Sequence, residues 1–406
     1  MAEVTVALVA LGGYGNFYLK HLFEGQAAHG CRLVAGIDPD PSGCHYLDRF
    51  EAHGIPIYPD LESFYRQQSA DLVVIAAPPH LHAPFTLTAL RQGSNVLCEK
   101  PLAPTIQEAR EMMAAEAASG CFVAIGYQWS FSRAIQALKA DVMVGSLGCP
   151  RRLRTKVLWP RTRSYYHRNN WAGRIKTDDG RWVLDSPASN ATAHYLHNCF
   201  YVLGTTVASS AMPVDVVAEL YRANPIENYD TAAIRCHTEE GAEILYYTAH
   251  PVHQEVGPTL RYEFEGAVVT YDRGAGPLRA EFNDGRTKVY GDPYADEAAK
   301  LWQSVACVRT GDRPVCGLAA ASAHTLCING AQESPAQIRT FPDSLVRSEG
   351  FDGDELIYVD GLLDTLGRCY DEGRLPSECE GVMWAQRGRQ VDLRHYDHFP
   401  THVTAG

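Results

Sequence analysis

Residues 4–15 read VTVALVALGGYG. The first seven are apolar or β-branched with no polar alternation, the pattern of a strand covered on both faces within a parallel sheet. The chain then enters ALGGYG (10–15) without a break. Ala10, Gly12 and Gly15 fall on the spacing of the glycine turn that opens a dinucleotide-binding βαβ unit, with alanine in the first glycine position. Gly12 lets the backbone approach a pyrophosphate, and Gly15 lets the following helix pack on the strand. The N-terminus of that helix supplies N–H donors. Gly13 and Tyr14 complete the loop and are candidate cofactor contacts.

The same texture repeats downstream in CRLVAGID (31–38), DLVVIAAP (71–78), NVLCE (95–99) and CFVAIGY (121–127). Helical stretches separate these runs. DLESFYRQQ opens on Asp60 as an N-cap, and APFTLTALRQG ends at Gly93. TIQEAREMMAAEAASG places Thr105 three residues before Glu108, a capping box, with Gly120 as its stop. Strand–helix alternation predicts an α/β domain over 1–126, a doubly wound parallel sheet of the Rossmann type. Asp38 ends the second strand about 20 residues past the glycines, where a carboxylate accepts from ribose hydroxyls. It also repels a 2′-phosphate, so the expected cofactor is NAD rather than NADP.

Past residue 126 the strands lengthen and alternate: RRLRTKVLW, PVDVVAELYRA, TAAIRCHTEEGAEILYYTAH with a turn at EEG, and TLRYEFEGAVVTYD. These predict a second, α+β domain over 127–406 with a large open, mostly antiparallel sheet, one face of it turned to solvent or a partner. Helices are expected over 133–143 and near 293–310 and 318–335. The tail from LPSECEG onward should wrap the surface.

Lys+Arg number 36 and Asp+Glu 48 in 406 residues, a net charge of −12. That balance argues against nucleic acid as a partner. Twelve cysteines with no CxxC pair fit a reducing compartment. The apolar run at 4–11 is too short for a membrane span or a signal h-region, so a cytoplasmic protein is expected. His194 with His197, His250 with His253 and His80 with His82 are close pairs, but no converging set of three or four ligands is evident. No metal is expected.

In a doubly wound sheet ligands bind beyond the carboxyl ends of the strands. Lys100 lies there, after NVLC, and so does APPHLH (77–82), which makes Ala77, Pro78, His82, Glu99 and Lys100 candidate cofactor contacts. Pro101 steers Lys100 away from helical backbone. Glu99 either holds this lysine or is a structural carboxylate at a strand end.

CEKPLA resembles the Glu-Lys-Pro motif of the Gfo/Idh/MocA oxidoreductases, the glucose–fructose oxidoreductase and inositol dehydrogenase group. The glycine loop, the stretch 71–109 and DSPASNATAHYLHNCFYVLG (185–204) follow in the family's order and spacing. The resemblance implies a two-domain enzyme that moves a hydride between NAD and a secondary alcohol or ketone of a sugar, sugar derivative or cyclitol. It also implies a homodimer or homotetramer built by packing open sheets face to face. The family's lysine corresponds to Lys100, and its Asp-x-x-x-His helix motif to Asn190-x-x-x-His194. Four residues apart on a helix, Asn190 and His194 would share a face. His194 would take the hydroxyl proton and Lys100 would stabilise the developing alkoxide. Asn190 can orient a hydroxyl but cannot accept its proton. His197 is either a second base or structural.

WPRTRSYYHRNNWAGR (159–174) concentrates aromatic and hydrogen-bonding groups just past a strand. As a substrate reader it offers Tyr166, Arg168 and Trp171; alternatively, the loop is locked by its own aromatics. Two further readings stay open. Some relatives recycle NAD within each turnover, oxidising a glycoside, eliminating the aglycone and returning the hydride. A few are non-catalytic regulators, but these would be expected to lose the lysine or the histidine, and both are present.

Overall fold

A computed structural model describes residues 3–401. The chain forms two compact units. One comprises the chain up to Ala103 with Gln107–Ser132 and Asp296–Ser322. The other comprises Pro104–Ile106, Arg133–Ala295 and the chain from Ala323 on. This differs from a single cut at residue 126. The helix Ala299–Thr310 (α9) buries Leu301 and Val305 and packs against the strands of the first unit, so a segment distant in sequence completes that core.

The first unit runs β1 (Val4–Val9), α1 (Gly15–Gly25), β2 (Cys31–Ile37), α2 (Leu47–Ala52), β3 (Ile57–Tyr58), α3 (Leu61–Tyr65), β4 (Leu72–Ile75), α4 (His82–Arg91), β5 (Asn95–Cys98), α5 (Ile106–Ser119) and β6 (Val123–Ile125). Its six strands are all parallel, in the order β3-β2-β1-β4-β5-β6. This is the doubly wound arrangement expected from the alternation. Leu72–Ile75 and Val96–Cys98 are wholly buried, which is why they carry no polar alternation. Asp60 caps α3, its carboxylate accepting from Ser63 N at 2.6 Å. The two-residue edge strand β3 and the short helix α2 gave no sequence signal.

The second unit holds α6 (Arg133–Met143), β7 (Pro150–Leu158), α7 (Arg163–His167), α8 (Ala193–Val202), β8 (Pro213–Arg222), β9 (Thr231–Thr238), β10 (Glu243–Ala249), β11 (Val256–Phe264), β12 (Ala267–Asp272), β13 (Leu278–Phe282), β14 (Thr287–Gly291), most of α10 (Leu318–Glu333), β15 (Arg339–Thr340), β16 (Val346–Phe351), β17 (Asp354–Val359), α11 (Leu362–Glu372) and β18 (Val391–Asp392). Its large sheet runs β14-β13-β12-β11-β7-β10-β9-β8-β15, with β18 also on β8. All pairings are antiparallel except β7 with β10 and β8 with β15. The hairpin turn falls at Glu239–Gly241, as EEG predicts.

The strand alternation reports two different environments. On β10, Tyr246 and Thr248 meet the α8 side of the sheet, where Tyr246 Oη donates to Thr192 O at 2.8 Å. Leu245, Tyr247 and Ala249 point the other way, into a cluster with Val217, Tyr221, Ala233, Leu362, Leu366 and Cys369. That second face is therefore covered by the chain's own α11 and the segments around it. Farther along, β11 alternates buried Leu260 and Tyr262 with partly exposed Arg261 and Glu263, and β13 exposes Arg279 and Glu281. The sheet's apolar patch is covered in cis and its open part is polar. The tail is also more ordered than its composition suggests, since β18 pairs with β8 and the Tyr396 hydroxyl donates to Glu333 at 2.5 Å.

Candidate active site

In the first unit, β1 delivers the chain into the glycine turn. Ala10 is left-handed, with φ 66°. A β-carbon at Gly15 would lie 2.1 Å from Ala10 O, so only glycine lets α1 start this close to the strand. Nothing lies within 4 Å of where a side chain at Gly13 would project. The N-terminus of α1 has no side-chain cap and no acidic residue in its first turn. Gly15 N and Asn16 N turn back to Gly12 O and Gly13 O at 2.9 and 3.3 Å. The open turn, at a helix N-terminus with no carboxylate in its first turn, fits the pyrophosphate of a dinucleotide. Asp38 sits at the end of β2 and binds back to the turn, accepting from Leu11 N at 2.8 Å and from Asp40 N at 3.0 Å. Its carboxylate is thereby fixed at the edge where ribose hydroxyls would bind, each oxygen keeping a further lone pair.

At the end of β5, Glu99 is almost fully buried. It accepts from the Tyr18 hydroxyl at 2.6 Å and from Lys100 N at 3.2 Å, and it is ion-paired with Lys300 of α9. A β-carbon at Gly126 would stand 2.7 Å from its carboxylate, so glycine is what admits the side chain. Lys300 is fully buried, donates to the Tyr14 hydroxyl at 3.1 Å, and lies 4.5 Å from the Tyr14 ring centre. Burial alone would raise the Glu99 carboxyl; Lys300, Tyr18 and Lys100 outweigh it and hold the group below the usual carboxylate value. Burial likewise pulls Lys300 down, and Glu99 and Tyr14 more than reverse it. One buried cation thus connects the glycine loop to the lysine turn. Glu99 reaches the backbone N of Lys100, while its ion pair is made with Lys300.

His82 is not presented to a ligand. It is buried, with Nδ1 2.6 Å from Pro101 O and Nε2 2.9 Å from Ala77 O. Burial holds its pKa below the usual histidine value against the pull of both carbonyls. It ties the turn after β4 to the turn after β5. Ala77 and Pro78 lie in the first of those turns.

In the second unit, the neighbouring parallel strands β7 and β10 end side by side. Trp159 N donates to Ala249 O at 2.9 Å, and His250 N to Asp230 O at 2.9 Å. The segment after β7 contains a short helix, α7, rather than only loop. Ser164 N donates to Asp354 at 2.9 Å and Arg163 pairs with Glu355 at 2.8 Å, which pins α7 to β17. Tyr166 Oη lies 3.1 Å from Nδ1 of His250. Arg168 stacks 3.7 Å from the Tyr165 ring centre and 5.2 Å from that of Trp171. The segment is both locked by its aromatics and arrayed beside the strand ends.

Asn190 and His194 do not lie on one α-helix. Pro187–Ala191 is a π-helical turn, opened by Ser186 and Ser189 capping each other and closed by Thr192 N bonding back to Pro187 O at 2.8 Å. The α-helical 100° spacing behind the shared-face expectation therefore does not hold. Asn190 is positioned instead by Asp185, whose carboxylate accepts from Asn190 Nδ2 at 2.7 Å and from Gly173 N at 2.7 Å. His194 opens α8, half-buried. His197 is buried, stacked on Tyr201, and held well below the usual histidine pKa by burial and by His324 and Lys139. Its structural reading is the one the geometry supports.

Sequence reasoning missed Asp185, Lys300 and the burial of His250. Asp185 stood inside the quoted 185–204 motif. Nothing marks Lys300, because a lysine on an amphipathic helix reads as exposed. Among the described residues no group of three or more His, Cys, Asp or Glu could hold a metal ion, and no helix is long and apolar enough to cross a membrane.

A six-stranded doubly wound sheet, an open glycine turn and an acid at the end of β2 define a dinucleotide-binding protein. Residues 4–127 match the model of the oxidoreductase family with an NAD-binding Rossmann fold. Over that stretch the chain is similar to the Gfo/Idh/MocA oxidoreductases, the family that CEKPLA resembles. The inositol 2-dehydrogenase of Rubrobacter xylanophilus is 32% identical over 149 residues, 36% of this chain and 42% of that protein. The 2,7-anhydro-N-acetylneuraminate hydratase of Mediterraneibacter gnavus is 25% identical over 197 residues, 48% of each chain. The chain spans less than half the length of each of these two relatives. Among solved structures, the WlbA dehydrogenase of Chromobacterium violaceum, in complex with NADH and UDP-GlcNAcA, has a TM-score of 0.67 at 18% identity. That match covers 82% of this chain and 94% of that one, and it shows the fold.

Proposed function

We propose that the protein is an NAD-dependent oxidoreductase interconverting a secondary alcohol and a ketone on a sugar, sugar derivative or cyclitol. The observation that carries this reading is the shared buried cation: Lys300 binds both Tyr14 of the nucleotide loop and Glu99 beside Lys100. The dinucleotide turn and the lysine turn therefore form one edge. NAD, when bound there, supplies the hydride acceptor. Lys100 donates to the carbinol oxygen and stabilises its developing charge, and His194 accepts the hydroxyl proton. Asn190, its amide oriented by Asp185, directs a neighbouring hydroxyl. The inositol dehydrogenase relatives support the alcohol class.

The test follows NADH absorbance and aglycone release together, with NAD and a panel of free sugars, inositols, sugar acids, nucleotide sugars and aryl glycosides. NADH formation on a free alcohol is expected. Lys100→Met and His194→Ala should each lower kcat by about 10²–10⁴-fold while NAD affinity is kept. Full turnover in both variants would remove the catalytic assignment.

A second reading is favoured by the hydratase relative, since a hydratase runs no net oxidation. In that case NAD is recycled in each turnover, and product appears without accumulated NADH.

A further inference from the structure

We propose that the substrate carries an anionic group, a carboxylate or a phosphate ester, and that Arg161 and Arg168 receive it. The inference rests on the carbohydrate oxidoreductase reading and narrows its substrate class.

The two guanidiniums flank one ring. Arg161 lies 5.1 Å and Arg168 3.7 Å from the centre of Tyr165; Trp159 backs Arg161 at 5.6 Å and Trp171 backs Arg168 at 5.2 Å. Stacking occupies the guanidinium faces and leaves the in-plane N–H donors to point elsewhere. Few of those donors are engaged by the protein. Arg161 donates to Pro160 O at 2.9 Å and to the Tyr165 hydroxyl, and Arg168 donates to Tyr165 O. Neither makes an ion pair among the described residues. Their neighbours in the same unit do: Arg152, Arg154, Arg163, Arg174, Arg235 and Arg273 each have a carboxylate partner. Two cations held on one tyrosine without a carboxylate partner repel each other, a Coulomb cost that a bound anion would recover.

A second observation is independent of the arginines' pairing. His250 is 1% exposed, and its Nε2 has no hydrogen-bond partner. Burial first, and then Arg161 and Arg168, hold it far below the usual histidine pKa, so the ring is neutral. Nδ1 lies 3.1 Å from the Tyr166 hydroxyl, so Nε2 is the ring nitrogen left without a partner. That leaves a buried polar atom unsatisfied beside two cations, and a bound ligand would supply its partner. Two buried carboxylates act on these tyrosines, Asp185 on Tyr165 and Asp230 ahead of Asp185 on Tyr166, but Asp185 already holds Gly173 N and Asn190 Nδ2, and Asp230 holds Ala223 N and Asn224. The same link through Asp185 places the anion subsite on the Asn190 side of the second unit.

The experiment is isothermal titration of the full chain, saturated with NADH, with glucuronate, glucose 6-phosphate, glucose and myo-inositol. It is repeated on Arg161→Gln and Arg168→Gln. The expected result is that one of the two anions binds more tightly than both neutral compounds, by about 10- to 100-fold. Each substitution should remove most of that preference while neutral binding stays constant. Whichever anion wins separates a carboxylate from a phosphate ester. Glucose or myo-inositol binding as tightly as the anions, no anion binding at millimolar concentration, or equal losses for all four probes would overturn the proposal. Turnover with NAD is read in parallel. NADH from myo-inositol without anion preference sinks the anion subsite and leaves the dehydrogenase standing. Anion binding weakened by both substitutions, with no NADH from any probe or panel alcohol, does the reverse.

Discussion

Lys300 is a fully buried cation whose stability contribution depends on its partner. Removing one member of such a pair leaves an uncompensated charge, at a cost of about 3–5 kcal/mol. The pH dependence separates this from simple loss of packing. In the native protein the Glu99 carboxyl is held low. Its contribution is present above about pH 4.3, the unfolded glutamate value, and fades as pH falls through the lower folded value. Lys300 is held high, so its own contribution is intact below about pH 10.4 and is lost as pH rises through the folded value. In Lys300→Met the largest influence opposing burial of Glu99 is gone, only Tyr18 and Lys100 remain against it, and its pKa rises. The deficit against the native protein should then grow between about pH 5 and pH 8, measured by urea unfolding, and Glu99→Gln in the same chain should recover most of it. A deficit independent of pH would mean the pair is not ionised. Ala10 offers a second residue-level test. Its left-handed backbone costs about 1–2 kcal/mol relative to the usual region, while glycine adds about 0.5–1 kcal/mol of unfolded-chain entropy. Ala10→Gly should therefore stabilise the protein by about 0.5 kcal/mol, readable as a raised urea midpoint at constant slope.

Whether an element could be foreseen depended on whether its cause was local. Strands β1, β4 and β5 were legible because burial on both faces leaves no room for polar alternation, and α3 because Asp60 caps its own third residue. The π-helical turn at Pro187–Ala191 was not legible. Its sequence places Asn190 four residues before His194 as an ordinary helix would. The extra residue in the turn is set by Thr192, which bonds back to Pro187 O and across to Thr248 of β10. The short helix α7 was missed for the same reason, since its first two residues are tied to Asp354 and Glu355, about 190 residues away in sequence. The candidate site divides likewise: Lys100, Asp38 and the glycine turn stand in a spaced motif, whereas Asp185 and Lys300 gain meaning only through contacts. Asp185→Ala tests the element that it braces. Losing the acceptor for Gly173 N and Asn190 Nδ2 should cost about 2–3 kcal/mol. It should lower kcat/KM for substrate while NAD affinity, set in the other unit, is unchanged. Equal losses in both would show general unfolding.

At the scale of the whole molecule the open question is how the large sheet keeps its apolar side from water. In this chain Val217, Tyr221, Leu245 and Tyr247 are met by Leu362, Leu366 and Tyr370 of α11, so that side behaves as a core. The rest of that sheet surface presents Arg261, Glu263, Arg279 and Glu281 to solvent. A core and an interface respond differently to dilution. Leu366 is fully buried, and truncating it to alanine should cost about 2–5 kcal/mol through lost transfer energy and the cavity left behind. If α11 covers the sheet in cis, the melting temperature falls by the same amount at every protein concentration, because folding of this face is unimolecular. If a second copy were the true partner of this face, the native melting temperature would rise with protein concentration and the loss in Leu366→Ala would grow as concentration increased. Thermal melts across a hundredfold concentration range, run beside size-exclusion chromatography with light scattering, separate the two. A concentration-dependent melt whose dependence Leu366→Ala abolishes would show that this face, despite its cover, takes part in assembly.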